Sequence, residues 1–357
     1  IFASIVTVTQ IDGGIEKMIE ILKQTNGNLT GSVFSQDRKT IWYAIKNWPT
    51  GNLNFNRKCT QAMAHVGFGD GVGCAHEGAH GAKTGTMEWR AMNGCVRRKP
   101  GKHAKYKKNE IVDDESGLKL ALDSLETMFN DPEKPWPAAL NDKAKEEIRA
   151  SIHAGYSYLY EHQKYFSQRR PAPYQTIGQY DWIESHNIGP MVLRLHKNDS
   201  FEDILGKMFA TMAAGNELIL SIPRGMEDKV QIVQALLGGY PIDMEFKNVR
   251  ILYQNDEEFV KYVKDPLDFD HNSLPEPKCI IYARRENVPM EVFEAAAEKS
   301  LHVDCREVTG DGRVDMITQF RQQSYCWVYH IAGDTSYEEM ARERHPEDVP
   351  YSKTAVR

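Results

Sequence analysis

Short apolar, β-branched runs alternate with amphipathic segments of about 10–15 residues along most of this chain, and that rhythm restricts its fold more than any other feature. From Pro190 the order is a strand at 190–196, a helix started by Asp199 and running through Ala214, a strand at 217–222 and a helix at 228–237. A strand at 250–253, a helix at 256–263, a strand at 279–283, a helix at 289–299 and a strand at 301–304 follow. A strand, a covering helix and a second strand form a right-handed crossover, so the pattern predicts a parallel α/β sheet. A shorter version opens the chain: a strand at 4–9, a helix at 15–24 with Ile15, Met18, Ile19 and Leu22 on one face, a strand at 29–35, a helix capped by Asp37, and a strand at 51–56. Between the two lie an amphipathic helix at 116–131 and a longer one at 141–166, in which Ile148, Ile152, Tyr156 and Leu159 recur at helical spacing.

Domain size converts this rhythm into an organisation. At about 150 residues per domain, 357 residues suggest two. The boundaries fall at a charged stretch and at Arg169-Arg-Pro-Ala-Pro173, giving segments 1–95, 96–170 and 171–357. The seven Lys and Arg between Arg97 and Lys108 read as a solvated linker, because a net charge of −6 speaks against nucleic acid or an anionic membrane as partner. Six cysteines (Cys59, Cys74, Cys95, Cys279, Cys305, Cys326) are too sparse for a disulfide framework, and none but Cys74 sits near a possible ligand cluster, so the rest read as small buried apolar residues. No run approaches the ~18 apolar residues of a membrane helix, and the expected location is cytoplasmic. Ile1 stands inside a strand-like run without an initiating Met, which predicts that the sequence continues upstream.

Two motifs invite chemistry. His76-Glu77-Gly78-Ala79-His80 matches H-E-x-x-H, where histidines one helical turn apart would hold zinc. Gly69, Gly71, Gly73, Gly78 and Gly81 oppose a helix there, so the segment is read as a loop holding no metal, although His65 and Cys74 lie near enough in sequence to join an adventitious one. The later α/β unit invites a dinucleotide, which needs a Gly-rich turn after its first strand. The turn is His196-Lys-Asn-Asp-Ser200: it has no glycine, and Asp199 brings negative charge to the phosphate position. Neither a G-x-S-x-G elbow nor a Walker loop occurs.

A resemblance then enters. Ile1-Phe2-Ala3-Ser4-Ile5 resembles the I-F-G-P-V of aldehyde dehydrogenases, Leu29-Thr-Gly-Ser-Val-Phe-Ser35 their L-T-x-x-(I/V)-x-S strand, and Gly51-Asn-Leu-Asn-Phe-Asn-Arg57 their G-N-(L/I)-Y-(V/I)-N-R. Residues 60–73 are similar to the T-G-A-x-V-G-x-Q-P-F-G-G-x-G of the glutamate-semialdehyde branch, with Gln61 in place of the anchor glycine. Further on, Ala213-Ala-Gly-Asn-Glu-Leu-Ile-Leu220 resembles A-A-G-N-x-x-x-L-K-P, with Ser221 where the ribose-contacting lysine would stand, and the stretch from Glu294 to Val303 resembles a closing E-R-S-L-S-V. In that order the motifs resemble the long proline utilisation A proteins, which join a proline dehydrogenase, a glutamate-semialdehyde dehydrogenase and a non-catalytic aldehyde-dehydrogenase-like domain.

The resemblance implies the end of a catalytic domain, a helical connector and a degenerate Rossmann-like domain. It implies that the nucleophilic Cys, the main NAD site and an FAD-binding proline dehydrogenase all lie upstream. It places Phe2 beside the nicotinamide ribose, Gln61 and Ala62 in the loop that anchors the substrate carboxylate, Phe68 at the aromatic of that loop, and a subunit-contact flap near 86–92. It also implies a homo-oligomer. The chemistry implied is thiolate attack on the aldehyde, hydride transfer to NAD and thioester hydrolysis. Its rivals are a non-catalytic scaffold of the same family and, third, a zinc-binding protein.

Overall fold

The computed structural model describes residues 8–25, 28–59, 106–112, 117–130, 140–171, 179–236, 248–266 and 274–328. The architecture is mixed α/β and holds two five-stranded sheets.

The first sheet begins where the sequence pattern puts it. Helix α1 (Gly14–Leu22) and helix α2 (Arg38–Asn47) flank strand β1 (Thr30–Val33), and strand β2 (Asn52–Phe55) follows. Asp37 caps α2 as expected, its carboxylate accepting from the amides of Lys39 and Thr40. Strands β1 and β2 pair in parallel. The strand expected at 4–9 falls mostly outside the described residues, and its described end, Val8 and Thr9, is exposed coil.

Two long strands in this sheet have no counterpart in the sequence reading. Strand β3 (Arg170–Pro171) is short, strand β4 spans Gln179–Asn187, and the last strand, β10, spans Phe320–Val328. The order is β1-β2-β10-β4-β3. Strand β10 runs parallel to β2, with Ser324 opposite Asn52 and Trp327 opposite Phe55, and antiparallel to β4 along its whole length. The sheet therefore takes strands from both sides of the connector.

These strands escape a hydropathy reading because β10 is central and buried on both faces, yet polar. Gln322, Gln323 and Ser324 are all buried. Hydrogen bonds replace apolar contact: Asn52 Nδ2 donates to Ser324 Oγ at 2.8 Å, Gln323 Nε2 to the Trp48 carbonyl at 3.2 Å, and Tyr325 OH to the Ile45 carbonyl at 2.9 Å. Trp182 and Tyr325 complete the apolar core beneath α2, with Ile41, Ile45, Leu53 and Phe55.

The connector is helical. Helix α3 (Leu118–Asn130) packs on helix α4 (Asp142–Glu161), which is capped by Asn141 and continues as a π-helical turn from His162 to Phe166. Gly155 permits the close approach, since a Cβ there would stand 2.7 Å from Leu122.

The second sheet is the parallel sheet that the rhythm predicts. Its order is β7 (Val249–Tyr253), β6 (Leu218–Ile222), β5 (Met191–Arg194), β8 (Cys279–Ile281), β9 (His302–Asp304), all parallel. Helices α5 (Phe201–Ala213), α6 (Glu227–Leu236), α7 (Asp256–Lys264) and α8 (Met290–Glu298) connect them. One face of the strands, with Met191, Leu193, Leu220 and Ile281, meets α4 and α5. The other, with Val192, Ile219 and Ile280, meets Phe259, Tyr262 and Val292 of α7 and α8. Such a sheet, buried on both faces, explains its near-continuous apolar strands.

One detail differs from the sequence reading. Asp199 does not start α5; Ser200 does, in a capping box with Asp203. Either residue type suits an N-cap, and Asp199 turns back instead to accept from the His196 amide at 2.7 Å.

Candidate functional site

Two places could carry function: the end of β2, which leads toward residues 60–73, and the carboxyl end of the second sheet.

Strand β2 carries buried polar side chains into its exit. Asn54 Nδ2 donates to Asn52 Oδ1 at 2.7 Å and to the Gly31 carbonyl at 3.2 Å. Asn56 then takes a left-handed φ of 57°, which asparagine tolerates better than most residues, and its Oδ1 accepts from the Ser35 amide at 3.0 Å. This reversal aims Arg57 back across the sheet, where Nη1 donates to the Cys326 sulfur at 2.8 Å. Cys326 is buried, stands opposite Asn54 on one side and Asp181 on the other, and also bonds the Asp181 side chain. Burial first, then Asp181, pushes its thiol pKa up to about 12, against the pull of Arg57. At neutral pH it is a protonated donor and not a nucleophile.

Sequence reasoning missed the Arg57–Cys326–Asp181 cluster. Its members come from three segments that are remote in the chain, and only register brings them together. Of the other cysteines read as buried, Cys279 is buried, whereas Cys59 and Cys305 are only partly so. Cys74 and Cys95 lie outside the described residues, as do Phe2, Gln61, Ala62, Phe68, His65 and the His76–His80 motif. Among the described residues no group of three or more His, Cys, Asp or Glu could hold a metal ion.

The second sheet turns back on itself between β5 and β8, and a dinucleotide would lie outside the carboxyl ends of those strands. The residues there do not suit a diphosphate. At the α5 N-terminus the Phe201 amide donates to Glu147 Oε2 at 3.0 Å and the Asp203 amide to Ser200 Oγ at 3.0 Å. Asp199 takes the His196 amide and, at 3.0 Å, Asn287 Nδ2, while Asp203 takes the Ser200 amide at 3.0 Å and Arg284 Nη2 at 3.1 Å. Donors that would cradle phosphate are thus bonded to the chain's own oxygens, several of them carboxylates. Burial, reinforced by neighbouring acids, raises the pKa of both Asp199 and Glu202. A phosphate near ~4 Å from one such carboxylate would meet a repulsion of about 1 kcal/mol in water and about 4 kcal/mol at an effective dielectric of 20.

At the position that the resemblance gives to the ribose contact, the polar groups are engaged too. Ser221 is buried, accepts from Arg194 Nη1 at 3.0 Å and donates to Gln254 Oε1 at 2.7 Å. The buried Arg194 also reaches the Gln254 carbonyl at 3.0 Å and Asp256 at 2.6 Å. These groups are thus bonded to one another.

Comparison with known proteins matches the opening segment. Residues 1–92 match the model of the aldehyde dehydrogenase family. A 1-pyrroline-5-carboxylate dehydrogenase of Staphylococcus haemolyticus (strain JCSC1435) is 36% identical over 89 residues, which are 25% of this chain and 16% of that protein. The fold of proline utilization A from Corynebacterium freiburgense is similar over 89% of this chain and 24% of its own, with a TM-score of 0.50 and 14% identity. At that identity the likeness concerns fold alone. This chain spans about a quarter of that neighbour, and the matched segment covers a smaller share of the curated relative. Among the described residues, no helix is long and apolar enough to cross a membrane.

Proposed function

We propose that this chain works as the C-terminal portion of a larger, NAD-dependent dehydrogenase that oxidises glutamate γ-semialdehyde, the open form of 1-pyrroline-5-carboxylate, in proline catabolism. The observation that carries the reading is the aldehyde dehydrogenase match at residues 1–92, together with the 36% identity to a 1-pyrroline-5-carboxylate dehydrogenase over 89 residues.

In this reading residues 1–95 end a catalytic domain, 96–170 connect, and 171–357 form a covering and assembly domain. Gln61 and Ala62 offer backbone donors to the substrate carboxylate, Phe68 flanks it, and Phe2 borders the nicotinamide ribose. The flap near 86–92 contacts another subunit of a homo-oligomer. The nucleophilic Cys and the NAD fold belong to the upstream region, where NAD takes up the hydride; an FAD-dependent proline dehydrogenase can precede them. The cell compartment is the cytoplasm. The donor-poor cleft of the second sheet supports a structural role for 171–357.

Residues 1–357 alone are expected to give no NAD-dependent aldehyde oxidation, and the whole protein that carries them to reduce NAD with glutamate semialdehyde. Spectrophotometric assay of both checks this. A whole protein inactive toward that aldehyde, with its cofactor supplied, would favour a scaffold of the same family.

A further inference from the structure

We draw no further inference here: the strongest candidate, the cleft between the start of α4 and the start of α5 that Asn141, Glu147, Asp199, Phe201 and Lys229 line, belongs to the site already described at the carboxyl end of the second sheet, and its polar groups are bonded to the chain's own atoms.

Discussion

Replacing Trp182 by alanine is expected to lower the free energy of unfolding by about 3–5 kcal/mol, the largest single-residue effect in the first sheet. Trp182 is 1% exposed and lies in an aromatic row, 5.1 Å from Tyr180 and 4.8 Å from Tyr325 between ring centroids. Its indole N–H donates to Glu184 Oε1 at 2.9 Å, and the same oxygen holds Arg169, whose guanidinium also sits 5.1 Å from the Trp182 ring. Truncation would leave a cavity under α2, remove stacking worth about 0.5–1.5 kcal/mol per pair, and take one of its donors from Glu184. Urea denaturation should show a lower midpoint at an unchanged slope. A loss below about 1 kcal/mol would mean that this aromatic row does not hold β4 and β10 to the rest of the sheet.

Asp304→Ala should cost about 3–5 kcal/mol by a different route, because it strands a buried cation. Lys207 on α5, 8% exposed at its side chain, reaches Asp304 Oδ2 at 3.4 Å. Arg306 Nε donates to Asp304 Oδ1 at 3.1 Å, and Thr318 Oγ1 to Oδ2 at 2.7 Å. Burial alone would raise the Asp304 pKa, but Lys207, Arg306 and these hydrogen bonds outweigh it and hold the carboxyl well below the ordinary range. The sign of the pH dependence follows. A carboxyl depressed in the folded state stabilises fully above its unfolded value near ~4, and that contribution is lost as pH falls toward the folded value. The gap between wild type and Asp304→Ala should therefore stay constant from about pH 8 to pH 5 and narrow only in stronger acid. A gap that opens or closes near neutrality would assign the effect to another group.

What the sequence disclosed follows from which forces left a local trace. The second sheet was legible because its strands are apolar on both faces and its helices carry ordinary caps; Asn255, for example, starts α7 in a capping box with Glu258. The glycine-free turn that carries Asp199 was legible as well, since these residues are adjacent in the chain. The structure adds what they do there: the amides are already bonded, and Glu147 comes from the connector helix to take one of them. Strands β4 and β10 left no such trace. Their burial is satisfied by partners far away, as when Asn52 bonds Ser324 across 272 residues, and no window of hydropathy records that. The Arg57–Cys326–Asp181 cluster escaped for the same reason, while the family motifs that name Phe2, Gln61, Ala62 and Phe68 were visible as text and lie outside the described residues.

The proposed function puts a dehydrogenase site in the protein that carries this chain and gives the sheet after residue 190 a packing role without a second nucleotide site. Isothermal titration of that whole protein with NAD tests both together. One NAD per polypeptide is expected, with the affinity unchanged by Asp199→Ala. Two NAD per polypeptide would contradict the poor fit of the second sheet to a diphosphate, and none would contradict the proposed dehydrogenase.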